Sequence, residues 1–178
     1  MSDPVFIVMS GLPASGKSTL ARRIGERLTF PVIDKDRILE ALFDTLGVGD
    51  QAWRTRLSRA SDEVLVATSE TARRAVLDNW WHREWAVPRL RQLGGLLIEV
   101  HCACDVEVAS ERFRARRRHP GHLDQVLTEE EAEERIARVR ASFRGPLGLG
   151  GPLLVVDTNR PVDVGELVAG IRPWITEG

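Results

Sequence analysis

Lysine is almost missing from this chain: of 25 basic residues only Lys17 and Lys35 are lysines, and all the others are arginine. Codon usage in a GC-rich genome turns indifferent basic positions into arginine. The two exceptions then mark places where a compact ammonium on a flexible stem is specifically needed, with chance placement as the competing explanation. Cysteine is scarce as well, and two residues cannot build a disulfide scaffold. Neither sign of charge is in excess: 25 basic against 26 acidic residues leave a net charge of -1, which excludes a general nucleic-acid coat but not a local basic patch. Long apolar runs are absent too. Stretches such as Val5–Met9 and Leu96–Ile98 fall far short of the roughly 20 residues of a membrane span. Met1-Ser2-Asp3-Pro4 has an acid where a signal peptide carries a base, so export is not expected and the expected location is cytoplasmic. With 178 residues, 43% hydrophobic and 29% charged, and with no repeat or linker, residues 1–178 are expected to form one globular domain.

What is present is a strand–helix alternation. Val5-Phe6-Ile7-Val8-Met9 is an unbroken apolar run bounded by Pro4 and Ser10-Gly11, as in a central strand buried on both faces. Ser18 to Leu28 reads as a helix with Leu20, Ile24 and Leu28 on one face, and Phe30–Asp34 as a short strand opened by Pro31. Helices are expected from Ile38 to about Gly47, over Gln51–Arg74, and over Arg83–Leu93 with an interruption at Pro88. Ala75–Asp78, Leu96–Cys102 and Leu153–Val156 read as further strands. Asp105 opens a helix running towards Arg118, Thr128-Glu129-Glu130-Glu131 has the form of a capping box for a helix to about Phe143, and Val162–Ile171 closes the chain. The pattern predicts an α/β fold around a mostly parallel sheet.

Gly11-Leu12-Pro13-Ala14-Ser15-Gly16-Lys17-Ser18, followed by Thr19, fits G-x-x-x-x-G-K-[ST]. Its glycines let the loop wrap backbone N–H groups around phosphate oxygens, Lys17 reaches the β/γ-phosphates, and the Ser18 hydroxyl can ligate Mg²⁺. A strand precedes it and a helix N-terminus follows, which favours an anion there. A nucleoside triphosphate, ATP or GTP, with Mg²⁺ is therefore the expected cofactor.

Phosphoryl transfer asks the protein for positioning, charge neutralisation and an oriented nucleophile. Asp34-Lys35-Asp36-Arg37 stands at the carboxyl end of the second strand, where ligands of open parallel sheets sit. Asp36 is the first choice of base for an attacking hydroxyl, Asp34 the second, and Lys35 a substrate contact; a solvated helix cap is the plain alternative. Ala75-Val76-Leu77-Asp78 has the apolar-run-then-acid form that puts Asp78 on Mg²⁺, with Asn79 beside it to contact substrate; an ordinary strand-end turn reads equally well. Arg112, Arg114, Arg116, Arg117 and Arg118 crowd one helix end. Arg112 and Arg116, a turn apart, can close over phosphates from a lid, or the five can be a solvated face paired with Glu111 and Glu129–Glu134. Trp80, Trp81 and Trp85 either wall a ring-shaped acceptor or belong to the core. His101-Cys102-Ala103-Cys104 lacks a second ligand pair and reads as a buried strand end, and His119 and His122 as loop residues.

These features together resemble the small P-loop kinases of the AAA_33 group, which are similar to chloramphenicol phosphotransferase, the zeta-toxin kinases and the kinase domain of polynucleotide kinase. The resemblance runs from GLPASGKST through Lys35-Asp36 and Ile38-Leu39-Glu40-Ala41-Leu42 across nearly the whole chain. It implies five parallel strands with helices on both faces, an Arg-rich lid, and transfer of the γ-phosphate to a hydroxyl. It implies Asp36 as base, Asp78-Asn79 as the element after the third strand, and Asp157-Thr158-Asn159 as the loop bordering the purine. Relatives often carry a basic residue three after the base. Here that residue is Leu39, whereas Arg37 stands three after Asp34, so either Asp34 is the base or Lys35 takes the role. The acceptor is expected to be a small molecule, an antibiotic, a nucleoside or a sugar. A 5′-hydroxyl polynucleotide kinase, disfavoured by the balanced charge, and a nucleotide-switched binding protein are the rivals. No oligomeric state is implied.

Overall fold

In the computed structural model, which describes residues 3–124 and 128–176, the apolar run at the start is the central strand β1 (Val5–Gly11), buried at every position. Around it form α1 (Lys17–Leu28), β2 (Val32–Asp34), α2 (Lys35–Leu46), α3 (Gln51–Thr71), β3 (Arg74–Asp78), α4 (Arg83–Gln92), β4 (Leu96–Ala103), α5 (Val106–Ala115), α6 (Glu129–Ser142), β5 (Leu153–Asp157) and α7 (Val164–Thr176). The five strands make one all-parallel sheet in the order β2-β3-β1-β4-β5.

Strand periodicity splits β1 between two cores. Val5, Ile7 and Met9 pack with Leu20, Ala21 and Ile24 of α1 and with Leu167, Val168 and Ile171 of α7. Phe6 and Val8 face the other way, onto Leu65 of α3 and onto Ala86 and Leu90 of α4. Leu39, Phe43 and Leu57 tie α2 to α3 in a smaller cluster. The register sets the site: Met9 and Asp34 both lie beside Asp78, and Gly11 lies beside Cys102, so the carboxyl ends of β1, β2 and β3 finish together.

Several boundaries differ from expectation. Pro88 does not interrupt α4; the bond its missing N–H forfeits would go to the Glu84 carbonyl, and both residues are on the exposed side. α5 stops at Ala115 because Arg116 turns extended (φ -79°, ψ 141°), so Arg116–Arg118 leave the helix instead of prolonging it. β2 begins at Val32, not Phe30, and α7 runs on past Ile171 through Pro173. The capping box forms as read: Thr128 N donates to Glu131 Oε2 at 2.7 Å, and Glu131 N to Thr128 Oγ1 at 3.2 Å. Among the described residues no helix is long and apolar enough to cross a membrane.

Candidate active site

The loop between β1 and α1 is shaped by two glycines. Gly11 sits at φ +133°, and a Cβ there would lie 2.6 Å from the Cys102 carbonyl oxygen; Gly16, at φ +95°, turns the chain into α1. No side chain caps α1 and its first turn holds no acid, so its leading N–H groups are left for an external anion. Leu12 to Leu20, with Pro13, Ala14, Ser15, Ser18 and Thr19 among them, line one end of a cleft of about 800 Å³. Lys17 lies folded over the loop, its Nζ donating to the carbonyls of Gly11 at 3.0 Å and Leu12 at 2.7 Å. Burial pushes its ammonium below the ordinary value, against the pull of Asp78.

Asp78 is 3% exposed at the end of β3. Burial raises its carboxyl to about 6, although Lys17 and a hydrogen bond from the Ser18 hydroxyl both oppose the rise. A buried carboxylate and a hydroxyl, at the foot of an uncapped helix, form an all-oxygen donor set that fits a hard divalent cation completed by phosphate oxygens and water. His101, Cys102 and Cys104 do not make a second such place: among the described residues no group of three or more His, Cys, Asp or Glu could hold a metal ion. Cys102 is buried, and burial lifts its thiol to about 12.

The raised Asp78 value carries a pH signature. Between its ordinary 3.8 and about 6 the folded state holds this proton and the unfolded state does not. The contribution is therefore complete below 3.8 and lost as pH rises through about 6. Urea midpoints of the metal-free protein, followed from pH 4 to 7 in EDTA, are expected to lose this contribution in the wild type and to lack it in Asp78→Asn.

At the other end of the cleft the two candidate bases separate. Asp34 caps α2: its Oδ1 accepts from Asp36 N at 2.9 Å and Arg37 N at 3.3 Å, and burial raises its carboxyl. Asp36, in the first turn of α2, faces the cleft. Burial would lift its carboxyl, but the cations Arg118, then Lys35 and Arg116, outweigh that and hold it below the ordinary value. Its ion pair is with Arg118 Nη2, not with Arg37, which is exposed. Lys35 is buried and donates to Ser58 Oγ at 2.8 Å. Both lysines of the chain thus line this one cleft.

α3 supplies a row that sequence reasoning missed: Arg54, Ser58 and Asp62, a turn apart, all line the cleft, and Asn79 Nδ2 donates to Asp62 Oδ1 at 2.9 Å. The four-residue spacing of these polar residues was the available signal.

The tryptophans divide. Trp80 lines the cleft with its ring centroid 6.0 Å from Lys17 Nζ and stacks on Phe143. Trp81 belongs instead to the core, its Nε1 donating to the Met9 carbonyl at 2.7 Å, and Trp85 packs at the edge of that core. Trp81→Phe is expected to cost about 1 kcal/mol for the lost bond, read from the urea midpoint. On the lid side Arg112 and Arg116 both line the cleft even though they do not share a helix. Arg112 Nη1 donates to the Thr158 carbonyl at 2.8 Å, and the Arg116 guanidinium lies 4.5 Å from the Phe113 ring centroid. Thr158, whose hydroxyl donates to the Ala103 carbonyl at 2.9 Å, closes this end with Arg160 and Pro161.

Solved structures of kinases share this architecture. A protein of Chloroflexus aurantiacus assigned as a kinase is 28% identical, with a TM-score of 0.84, over 100% of this chain and 99% of that one. The shikimate kinase of Bacteroides thetaiotaomicron is 18% identical with a TM-score of 0.61, covering 97% and 98%. A deoxyadenosine kinase of M. mycoides, solved with bound dATP, is 15% identical with a TM-score of 0.56, covering 96% and 99%. No curated protein matches the chain in sequence. The AAA_33 family model, described as an AAA domain, matches residues 6–146, and with its loop, sheet order and neighbours the chain belongs to that family and has the fold of the small P-loop kinases.

Proposed function

We propose that this protein is a cytoplasmic, Mg²⁺-dependent phosphotransferase that moves the γ-phosphate of ATP or GTP to a hydroxyl of a small molecule, such as an antibiotic, a nucleoside or a sugar. One observation carries the reading: a single cleft has a phosphate-binding loop at one end and a carboxylate, Asp36, directed into it at the other. Gly11, Gly16 and the uncapped start of α1 cradle the phosphates, with Pro13, Ala14, Ser15 and Thr19 around them. Lys17 leaves the carbonyls of Gly11 and Leu12 to meet the triphosphate. Ser18 and Asp78 hold Mg²⁺, whose contribution when bound is to neutralise phosphate charge.

Asp36 accepts the proton of the attacking hydroxyl. Lys35, Asn79 and Trp80 border the acceptor, with Arg54, Ser58 and Asp62 behind them. Arg112 and Thr158 border the nucleotide base, and Arg116 steadies the transferred group. Opposite charges alternate along the acceptor wall, with Lys35, Arg54 and Arg118 against Asp34, Asp36 and Asp62, which supports a small acceptor over a polyanionic strand.

The test offers ATP and GTP, each labelled at the γ-phosphate, with pooled antibiotics, nucleosides and sugars, and with a 5′-hydroxyl oligonucleotide in parallel. Label on a small molecule is the expected result. Label on the oligonucleotide would install a polynucleotide kinase instead, and free phosphate alone, unchanged by any acceptor, a nucleotide-switched binding protein.

A further inference from the structure

From Arg118, which lines the cleft, residues 118–124 run along one flank of α2. Acidic side chains recur there at Asp36, Glu40 and Asp44, one helical turn apart, and each meets a partner from the segment. Arg118 Nη2 donates to Asp36 Oδ2, His122 Nε2 lies 3.0 Å from Glu40 Oε1, and His119 Nε2 lies 3.1 Å from Asp44 Oδ1. Phe43 fills the space between these contacts: the His119 ring stacks on it at 5.6 Å and the His122 ring meets its edge at 5.9 Å. The fit is close enough that a Cβ on Gly121 would fall 2.2 Å from Phe43 Cδ2. From α3, Arg54 Nε donates to the His122 carbonyl at 3.0 Å. His122 is wholly buried, and burial, aided by Arg118, depresses its imidazole to about 3. The neutral ring meets the Glu40 carboxylate through Nε2–H, while its Nδ1 finds no partner among the described residues.

We propose that Arg118 is the positioning residue of the acceptor-activating carboxylate, and that residues 118–124 are a strap whose seating on α2 delivers it. The proposal rests on the reading of Asp36 as base. The guanidinium engages Oδ2, and Oδ1 stays on the Lys35 side, 3.9 Å from its Nζ. The Arg118 side chain is 12% exposed and that of Asp36 45%, so the carboxylate is the more open of the two groups, and its Oδ1 is the oxygen that Arg118 does not engage. Oδ1 is then the atom that takes the proton, its direction fixed by the single bond from Arg118 Nη2 to the other oxygen, while Nη1 donates to Asp124 Oδ2 at 3.1 Å and holds the guanidinium within the strap. The plain alternative is that Arg118 only fastens the strap for stability.

Asp36 is surrounded by Arg118, Arg116 and His122 from the strap side, by Lys35, Asp34 and Glu40 of its own strand end and helix, and by Lys17 and Asp78 across the cleft. Its titration can be followed by NMR in the full chain labelled with ¹³C at the aspartate carboxyl carbons, the resonance being assigned by its loss in Asp36→Asn. An adjacent opposite charge moves a carboxyl by roughly 1–3 pH units, so Arg118→Met is expected to raise the midpoint. Gly121→Ala changes no charge; by pressing on Phe43 it is expected to unseat the strap and raise the same midpoint, with MgATP affinity unchanged. Should that variant fail to fold, His119→Ala, which removes the Asp44 contact and the ring stack, serves in its place. At a pH where Asp36 is ionised in both proteins, Arg118→Met is also expected to lower kcat for acceptor transfer. A midpoint unmoved by Arg118→Met, or moved by it but not by loosening the strap, or a kcat unchanged at that pH, as a mere strap fastener would give, would overturn the proposal and leave the base assignment standing. Acceptor phosphorylation retained by Asp36→Asn would remove the base assignment instead.

Discussion

Asp36→Asn is expected to lose about 10²–10⁴-fold in the rate of transfer to an acceptor, the span that a positioned general base contributes, while MgATP affinity stays near that of the wild type. Asparagine keeps the size of the side chain and can still accept a bond from Arg118, so the loss isolates the proton-accepting charge. Asp34 is expected to behave differently. Its Oδ1 is engaged by two backbone N–H groups at the start of α2, and Asp34→Ala should cost about 1 kcal/mol of stability as a lost cap. Steady-state kinetics and urea unfolding on both variants check the contrast. Equal kinetic losses would mean that the two carboxylates act as a unit.

Glu99→Leu is expected to destabilise the fold by about 3 kcal/mol or more, read from urea unfolding, without a charge being lost from the cleft. Glu99 is 2% exposed in the middle of β4, and its carboxylate accepts from Ser10 Oγ at 2.6 Å, Leu147 N at 2.6 Å and Gly148 N at 3.0 Å. Those backbone donors belong to the glycine-rich loop ahead of β5, which Glu99 thereby fastens to the sheet beside Leu147 and Leu149. Leucine fills the volume but leaves the buried Leu147 N without an acceptor and strips one from Gly148 N and from Ser10 Oγ, which keeps only His101 Nδ1 at 2.9 Å; an orphaned buried donor is the expensive way to lose a hydrogen bond. Glu99→Gln, which keeps one acceptor oxygen, should fall between the two. A Glu99→Leu protein as stable as the wild type would mean that the loop is held by its leucines alone.

Most of what forms the phosphate end of the cleft was legible because it is local. The octet Gly11–Ser18, the strand before it and the helix after it are contiguous, so strand burial and glycine geometry act within one stretch of chain. The place of Asp78 at a strand end was legible for a similar reason, since it closes an apolar run, one that pairs with β1. Spacing could not tell Asp34 from Asp36, because what separates them is which carboxylate turns back on the backbone and which meets Arg118, 82 positions away in sequence. Trp80 and Trp81 are neighbours with opposite fates, set by the Met9 carbonyl that only the folded sheet offers to an indole. Pro88 was over-read as a break because its cost falls on an exposed helix face. Glu99 carried no signal, since a single acid inside an apolar strand says nothing of the loop that will reach it.

On the proposed function, this cleft directs a γ-phosphate to a hydroxyl other than that of water. This is tested most directly by the partition of labelled γ-phosphate between a phosphomonoester and inorganic phosphate, measured in one tube with the best acceptor from the pooled set. The wild type should place most of the label on the acceptor. Lys17→Met should lose both products together, and Asp36→Asn should lose the phosphomonoester while keeping slow hydrolysis. Label going only to inorganic phosphate at a rate no acceptor changes, or a phosphomonoester formed equally well by Asp36→Asn, would contradict the account.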